Sequence, residues 1–311
     1  MAYRRHILSI SDLGPENLAH IVEKALEIAS GASDERQSLK GKIVGLYFRG
    51  PSTRTRTAFA AGAIRLGATP IVYGPNDLQI ATGESLQDTA KVLSEFLDVL
   101  VVRTNQSIDE MRSMAGQEVM SIVNAMSDSE HPTQAVADLV ALREEFGRLK
   151  GLHVLYVGEG NNTAAALALA VSLTPGMRLT LVTPERYGLP TAALKTAETF
   201  AREHEAIVEE HHRIDKLPNN VDAVYATRWQ TMGEPKVESN WQDIFKPYKV
   251  TSRMMAQVSK PSGTIFMHDL PAVRGGDVDD EVLDGPWSRA FRQARHKMTS
   301  AMAILEWCAA A

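Results

Sequence analysis

The feature that most restricts this chain is a steady alternation of short β-rich runs with helical stretches. KIVGLYF (42–48), PIVYG (70–74), DVLVVRT (98–104) and VMSIVNA (119–125) read as strands, with SLQDTAKVLSEFL (85–97) and SIDEMRSMAG (107–116) helical between them. LGPENLAHIVEKALEIA (13–29) carries Leu18, Val22, Ala25 and Ile28 on one helical face. The second half repeats the rhythm through LHVLYVG (152–158), RLTLVTP (178–184), AIVEEH (206–211), DAVYATR (222–228) and TIFMHDL (264–270), with helices such as TAALKTAETFAREH (191–204). Such alternation implies parallel sheets with helices on both faces. HPTQAVADLVALREEFG (131–147) lies between the halves with no flexible linker, and a last helix runs from about Trp287 to Trp307. The expected fold is α/β: two doubly wound parallel-sheet domains joined by a rigid helix, the C-terminal helix returning to the first domain.

Composition narrows the function. A chain of 311 residues can fill two domains, and 44% hydrophobic with 23% charged residues fits a globular protein. The net charge of −5 argues against an extended nucleic-acid surface, so any phosphate site must be local. The single cysteine, Cys308, excludes an internal disulfide and reads as a small hydrophobe. MAYRRHILSI lacks the apolar run of a signal peptide, and no window approaches the ~18 apolar residues of a membrane span. The expectation is a soluble cytoplasmic protein with no membrane partner.

One stretch asks for a chemical reason. FRGPSTRTRTAF (48–59) follows a strand, turns at Gly50-Pro51, and sets Ser52, Thr53, Arg54, Thr55 and Arg56 ahead of a helix face of Ala58, Phe59, Gly62, Ala63 and Leu66. With Ser52 as the N-cap, the cluster occupies a first turn, where unpaired N–H groups and the helix dipole favour an anion. Ser52 and Thr55 add hydroxyl donors, and Arg54 can clamp phosphate oxygens with its fork. A capped surface helix with two solvated arginines would show the same letters. Arg103 and His131-Pro132-Thr133-Gln134 weigh against that, because both fall at C-terminal sheet edges, where α/β ligands bind.

Together with Gly83-Glu84-Ser85-Leu86-Gln87-Asp88-Thr89 and His268-Asp269-Leu270-Pro271, these motifs make the chain resemble the aspartate/ornithine carbamoyltransferase family. They stand in the family's order and spacing along nearly the whole length, closest to the ornithine branch. The resemblance implies transfer of the carbamoyl group of carbamoyl phosphate to an amine, with no metal or organic cofactor. It implies a carbamoyl-phosphate-binding domain (1–132 with 287–311), an acceptor-binding domain (133–286), and a homotrimer with shared active sites. By the same resemblance, Ser52, Thr53, Arg54 and Thr55 hold phosphate, and Arg103 and His131 donate to the carbonyl oxygen as it gains charge. Gln134 and the Leu270 carbonyl hold the carbamoyl NH2. A loop from the neighbouring subunit, Asn76–Gly83 by position, contributes Gln79. Lys297, in Arg295-His296-Lys297, falls where the ornithine branch has a phosphate-site arginine.

The acceptor residues depart from the family pattern. Gly158-Glu159-Gly160-Asn161-Asn162 resembles the ornithine branch, whose second asparagine, here Asn162, binds the α-carboxylate; as a dinucleotide motif its G-x-G lacks the third glycine. Thr231-Met232-Gly233 resembles the ornithine-type loop, but Thr227 replaces the aspartate that holds the α-ammonium. Arg228 and Gln230 match the aspartate branch, where they bind a carboxylate; for Arg228 a surface salt bridge stays open. Asp269 stands where ornithine enzymes have cysteine and aspartate enzymes proline; a carboxylate there could pair with a cationic amine or take its proton. The acceptor is therefore read as an amino acid, ornithine or an ornithine-like diamino acid. An aspartate-type acceptor, a specialised-metabolite amine and a non-catalytic ligand-binding paralogue stay open.

Overall fold

The computed structural model describes residues 5–32, 37–230 and 236–310. The chain forms two compact units, residues 1–140 with 295–311 and residues 141–294. In the first, α1 (Gly14–Ser30) precedes β1 (Ile43–Phe48), α2 (Arg54–Arg65), β2 (Thr69–Tyr73), α3 (Leu86–Ser94), β3 (Val99–Arg103), α4 (Ile108–Met114) and β4 (Ser121–Met126). The four strands form one parallel sheet in the order β2-β1-β3-β4. Its inner strands β1 and β3 are buried nearly throughout, so they read as unbroken apolar runs rather than alternating ones. α5 (Pro132–Phe146) carries the chain across the division into the second unit.

The second unit holds β5 (His153–Val157), α6 (Asn162–Ser172), β6 (Arg178–Val182), α7 (Thr191–Glu203), β7 (Ile207–His211), β8 (Ala223–Ala226), α8 (Trp241–Phe245), α9 (Ser252–Val258), β9 (Ile265–His268) and α10 (Asp280–Leu283). Its parallel sheet runs β7-β6-β5-β8-β9. α6, NTAAALALAVS, is buried on every side, which its lack of any charged residue permits. Gly160 is required by close packing: a Cβ there would stand 2.3 Å from the backbone of Gly188 and Leu189. α11 (Ala290–Ala309) starts three residues later than the sequence suggests, because Gly285-Pro286 and the 287–289 segment turn first; its later part joins the first unit, where the Ser121 hydroxyl donates to the Cys308 carbonyl at 3.2 Å. No helix among the described residues is long and apolar enough to cross a membrane.

One expectation fails at α2. The cap is Thr53, not Ser52, and Thr53 already has helical dihedrals (φ −72°, ψ −52°) with no side-chain cap bond. The Gly50-Pro51 turn delivers the chain directly into helical geometry, so neither hydroxyl is used for capping.

A buried carboxyl ties the N-terminal segment to the loop before α5. Glu130 accepts the Ile10 N–H at 2.7 Å and the Ser9 hydroxyl at 2.6 Å. Burial pushes its carboxyl up to about 7, with those hydrogen bonds opposing. A group raised in this way binds more protons folded than unfolded, so its contribution is complete below the ordinary value of 4.5 and is lost as pH rises through about 7. In denaturant titrations, the stability of wild type relative to Glu130→Gln should fall by about 3 kcal/mol between pH 4.5 and pH 8. A difference that stays flat with pH would contradict it.

Candidate active site

In the first unit the sheet's C-terminal edge gathers the charged residues. Phe48 and Arg103 end the paired strands β1 and β3, and the Arg49 N–H donates to the Arg103 carbonyl at 3.0 Å. The turn that follows leads into α2, whose first residues are Arg54, Thr55 and Arg56, with Thr55 buried. Arg56 lies over the Phe48 ring at 5.2 Å, which makes it a packing residue beside the cluster. The unspent hydroxyls of Ser52 and Thr53 and the uncapped first turn give this edge the donors an anion needs.

Next to them stand Arg103, His131 and Gln134, each at most 6% exposed. Arg103 Nη1 lies 3.3 Å from His131 Nε2. A guanidinium only donates, so Nε2 accepts and the proton sits on Nδ1, 3.4 Å from the Thr133 hydroxyl. Burial first, then the charges of Arg103 and Lys297, hold His131 well below the ordinary 6.5, so the ring is neutral at pH 7. Lys297 Nζ donates to Gln134 Oε1, while Gln134 Nε2 donates to Asp138 Oδ1 at 2.7 Å. Arg103–His131 and Lys297–Gln134–Asp138 are two side-chain sets linked by the Gln134 backbone N–H, which donates to the His131 carbonyl at 3.1 Å, although they come from β3, α5 and its lead-in, and α11. Gln79 stands apart: it is exposed at the head of a short 3-10 turn, with its side-chain oxygen accepting the Thr82 hydroxyl at 2.6 Å.

The second unit presents another set of residues past its strand ends. Ala226 and His268 end the paired strands β8 and β9, so Thr227 and Asp269 follow side by side. The Asp269 carboxylate accepts the Thr227 hydroxyl at 3.2 Å and the Thr163 hydroxyl at 3.1 Å. His268 Nδ1 accepts the Leu270 N–H at 2.8 Å and lies 3.3 Å from Asp269 Oδ1, while Nε2 faces Asp277 at 3.6 Å. No lysine or arginine among the described residues pairs with Asp269. Asn161 caps α6 by accepting the Thr163 and Ala164 N–H groups at 3.0 and 3.2 Å, which leaves Asn162 as the buried first helical residue. Leu270 adopts φ 54°, a strained value for a branched side chain. Arg228 and Gln230 line a cavity further along the same loops. Thr231 and Met232 lie outside the described residues.

Two contributors had no motif to announce them. Thr163 supports Asp269 through a single hydroxyl. Lys236 pairs with Glu159 and lies over the rings of Tyr187 and Phe245 at 4.6 and 5.4 Å, with burial pushing its ammonium down to about 8. It ties the G-E-G-N-N loop to the chain beyond β8. Only an aromatic-plus-acid pattern scattered over 87 or so residues could have pointed to it.

The Thr227–Asp269 contact generates a coupling prediction. Thr227→Asp alone would set a second carboxylate about 3 Å from the first and should cost roughly 2 kcal/mol in urea unfolding. Adding Asp269→Cys should recover most of that loss, giving a coupling above about 1 kcal/mol. Strictly additive effects would contradict the contact.

Comparison with known proteins shows the family. Residues 5–144 match the model of the aspartate/ornithine carbamoyltransferase carbamoyl-P binding domain, and residues 150–308 match that of the Asp/Orn binding domain. The ornithine carbamoyltransferase of Hyperthermus butylicus is 35% identical over 308 residues, covering 97% of this chain and 96% of that protein. That of Halalkalibacterium halodurans is 34% identical over 303 residues, with 97% and 94% covered. Among solved structures, the ornithine carbamoyltransferase from Pyrococcus furiosus superposes with a TM-score of 0.90 at 32% identity, covering 97% of this chain and 96% of that one. The chain belongs to the aspartate/ornithine carbamoyltransferase family and is a carbamoyltransferase.

Proposed function

We propose that the protein transfers the carbamoyl group of carbamoyl phosphate to the amine of an ornithine-like amino acid, releasing phosphate. The observation that carries this reading is the set of buried Arg103, His131 and Gln134, with half-buried Lys297, at the sheet edge that leads into the uncapped first turn of α2. An uncharged amine attacks the carbamoyl carbon, the carbonyl oxygen takes up negative charge, and the C–O bond to phosphate breaks. Such a reaction needs positioned charge more than a covalent intermediate. Ser52, Thr53, Arg54 and Thr55 would hold the phosphate, with Lys297 as a point charge rather than a fork. Arg103 would stabilise the oxyanion. For His131 to donate as well, its proton has to move from Nδ1 to Nε2 once the carbamoyl oxygen takes the place of Arg103 as its neighbour. Gln134 would hold the carbamoyl NH2 after releasing Lys297.

On the acceptor side, Asn162 and Arg228 would hold carboxylate, with Thr227, Gln230, Thr231 and Met232 around them. Asp269, a carboxylate with hydroxyl partners and, among the described residues, no lysine or arginine paired with it, would face the ammonium and take its proton. A carboxylate rather than a thiol at this position favours an acceptor related to ornithine but not identical in its contacts.

A cytoplasmic homotrimer with shared sites fits the exposed β2 edge. Ile71 and Val72 on that strand, and Val92 and Phe96 on and after α3, are 38%, 48%, 53% and 64% exposed. An unpaired apolar strand edge of this kind favours self-association. Gln79, exposed nearby in sequence, would reach a neighbour's phosphate group.

Incubation with carbamoyl phosphate and ornithine, 2,4-diaminobutyrate or aspartate should yield ureido products detectable by mass spectrometry. Arg54→Ala should lower kcat/KM by roughly 10²–10³ with little change in fold stability. Absence of any ureido product, or near-normal turnover in that variant, would remove the assignment. Mixed Arg54→Ala and Gln79→Ala subunits should regain part of the activity that each lacks alone, because one site in the mixed assembly receives both intact residues. Mixtures no more active than the separate variants would contradict the shared site.

A further inference from the structure

Lys236 is a buried charge outside the transfer chemistry described above. Its side chain is 7% exposed and that of its partner, Glu159, 12%. Lys236 Nζ donates to Glu159 Oε1 and lies 4.6 and 5.4 Å from the ring centres of Tyr187 and Phe245. A desolvated ammonium over aromatic rings gains attraction from them. A buried ion pair adds little net stability, but removing one member leaves the other charge uncompensated. Such a pair therefore constrains the geometry of whatever carries it.

Glu159 belongs to the loop that delivers Asn162. Its carbonyl accepts the Tyr156 hydroxyl at 2.7 Å and the Asn161 N–H at 2.9 Å. Asn161 then caps α6, and Asn162 is the first residue of that helix. The Gly160 N–H donates to the Tyr187 carbonyl at 2.7 Å, where the two backbones pack too closely for any Cβ. Tyr187 thus holds the loop by its backbone, while its ring carries Lys236 and its hydroxyl donates to Glu238. Arg186 pairs with the same carboxylate at 3.4 Å. The segment 236–238 grips this loop at two points, Lys236 on the Glu159 carboxylate and Glu238 on the Tyr187 hydroxyl.

We infer that Lys236 is a positioning residue for the acceptor: through Glu159 it fixes the loop that presents Asn162 to the acceptor's α-carboxylate. The inference rests on the carbamoyl-transfer reading above and adds a residue that none of the family motifs includes. Arg54, Arg103 and Lys297, on the phosphate side, belong to the first unit, so the effect should be confined to the acceptor. The link is also ionisable. Burial pushes the Lys236 ammonium down to about 8, with Glu238 opposing, so above that pH the Glu159 carboxylate loses its counter-charge.

The test is steady-state kinetics of the full chain with carbamoyl phosphate and ornithine, 2,4-diaminobutyrate or aspartate, using each acceptor that wild type converts. Lys236→Met should raise the acceptor KM about tenfold or more, with kcat and the carbamoyl phosphate KM changed less than about threefold. Glu159→Gln, which keeps the side chain's shape, should show the same split. Lys236→Arg should restore most of the wild-type value, and its guanidinium stays charged at high pH. The ratio of acceptor KM, wild type over Lys236→Arg, should therefore rise about threefold or more between pH 7 and 9.5, since the acceptor's own ionisation cancels. An acceptor KM near wild type in both Lys236→Met and Glu159→Gln would overturn the inference. So would a rise in both substrates' KM together with a lowered Tm, which marks a merely structural pair, or a ratio flat with pH. Each of these leaves carbamoyl transfer standing. No ureido product from any acceptor would overturn both readings.

Discussion

The chemistry of this protein depends on positive charge gathered at one sheet edge: buried Arg103 and half-buried Lys297 stand beside a histidine that burial keeps neutral. Two cations in a partly dehydrated space repel each other unless something negative answers them. Asp138 answers in part through Gln134, and the head of α2 adds further positive potential rather than removing it. The arrangement is held by the sheet beneath it. Phe48 and Arg103 are register partners on the two inner strands, so the turn into α2 and the arginine are fixed by the same hydrogen-bond ladder. α5 and α11 then deliver His131, Gln134 and Lys297 to that edge, from positions more than 160 residues apart in the case of Gln134 and Lys297.

The second unit shows the opposite sign. Asp269 is a carboxylate supported by hydroxyls of Thr163 and Thr227, residues that can donate to it without neutralising it. An aspartate at position 227 would have to share space with Asp269, so the two departures from the ornithine pattern are one change seen twice: the negative charge has moved from the β8 loop to the β9 loop. Charge exchange between neighbouring loops alters what an acceptor site can recognise while leaving both sheets unchanged.

Much of this was legible in the letters. The strands read clearly because inner parallel strands are apolar runs, and β1, β3, β5 and β8 are buried nearly throughout. Arg103, His131 and Gln134 are expected at one sheet edge because strand ends and helix starts lie there, and the structure places them together at that edge. The Ser52 cap was misread because a capping letter says nothing of the backbone angle that a preceding Gly-Pro turn imposes. α8, α9 and α10, with 5, 7 and 4 residues, are too short for a helical period to declare itself. The hydroxyl support from Thr163, the Lys236 tie to Glu159 and the cavity at Trp229 depend on tertiary neighbours, and no local pattern encodes them.

The positive charge around His131 offers the most direct measurement. Titrating the His131 imidazole by NMR, with and without the non-hydrolysable methylene phosphonate analogue of carbamoyl phosphate, reads the field at that point. Free protein should show His131 titrating well below 6.5, as burial and the two cations require. With the analogue bound, its negative charge should offset Arg103 and Lys297 and move the titration upward by about one unit or more. An imidazole that titrates normally in free protein, or one unmoved by saturating analogue, would contradict the claim that this edge is built to hold the donor's phosphate.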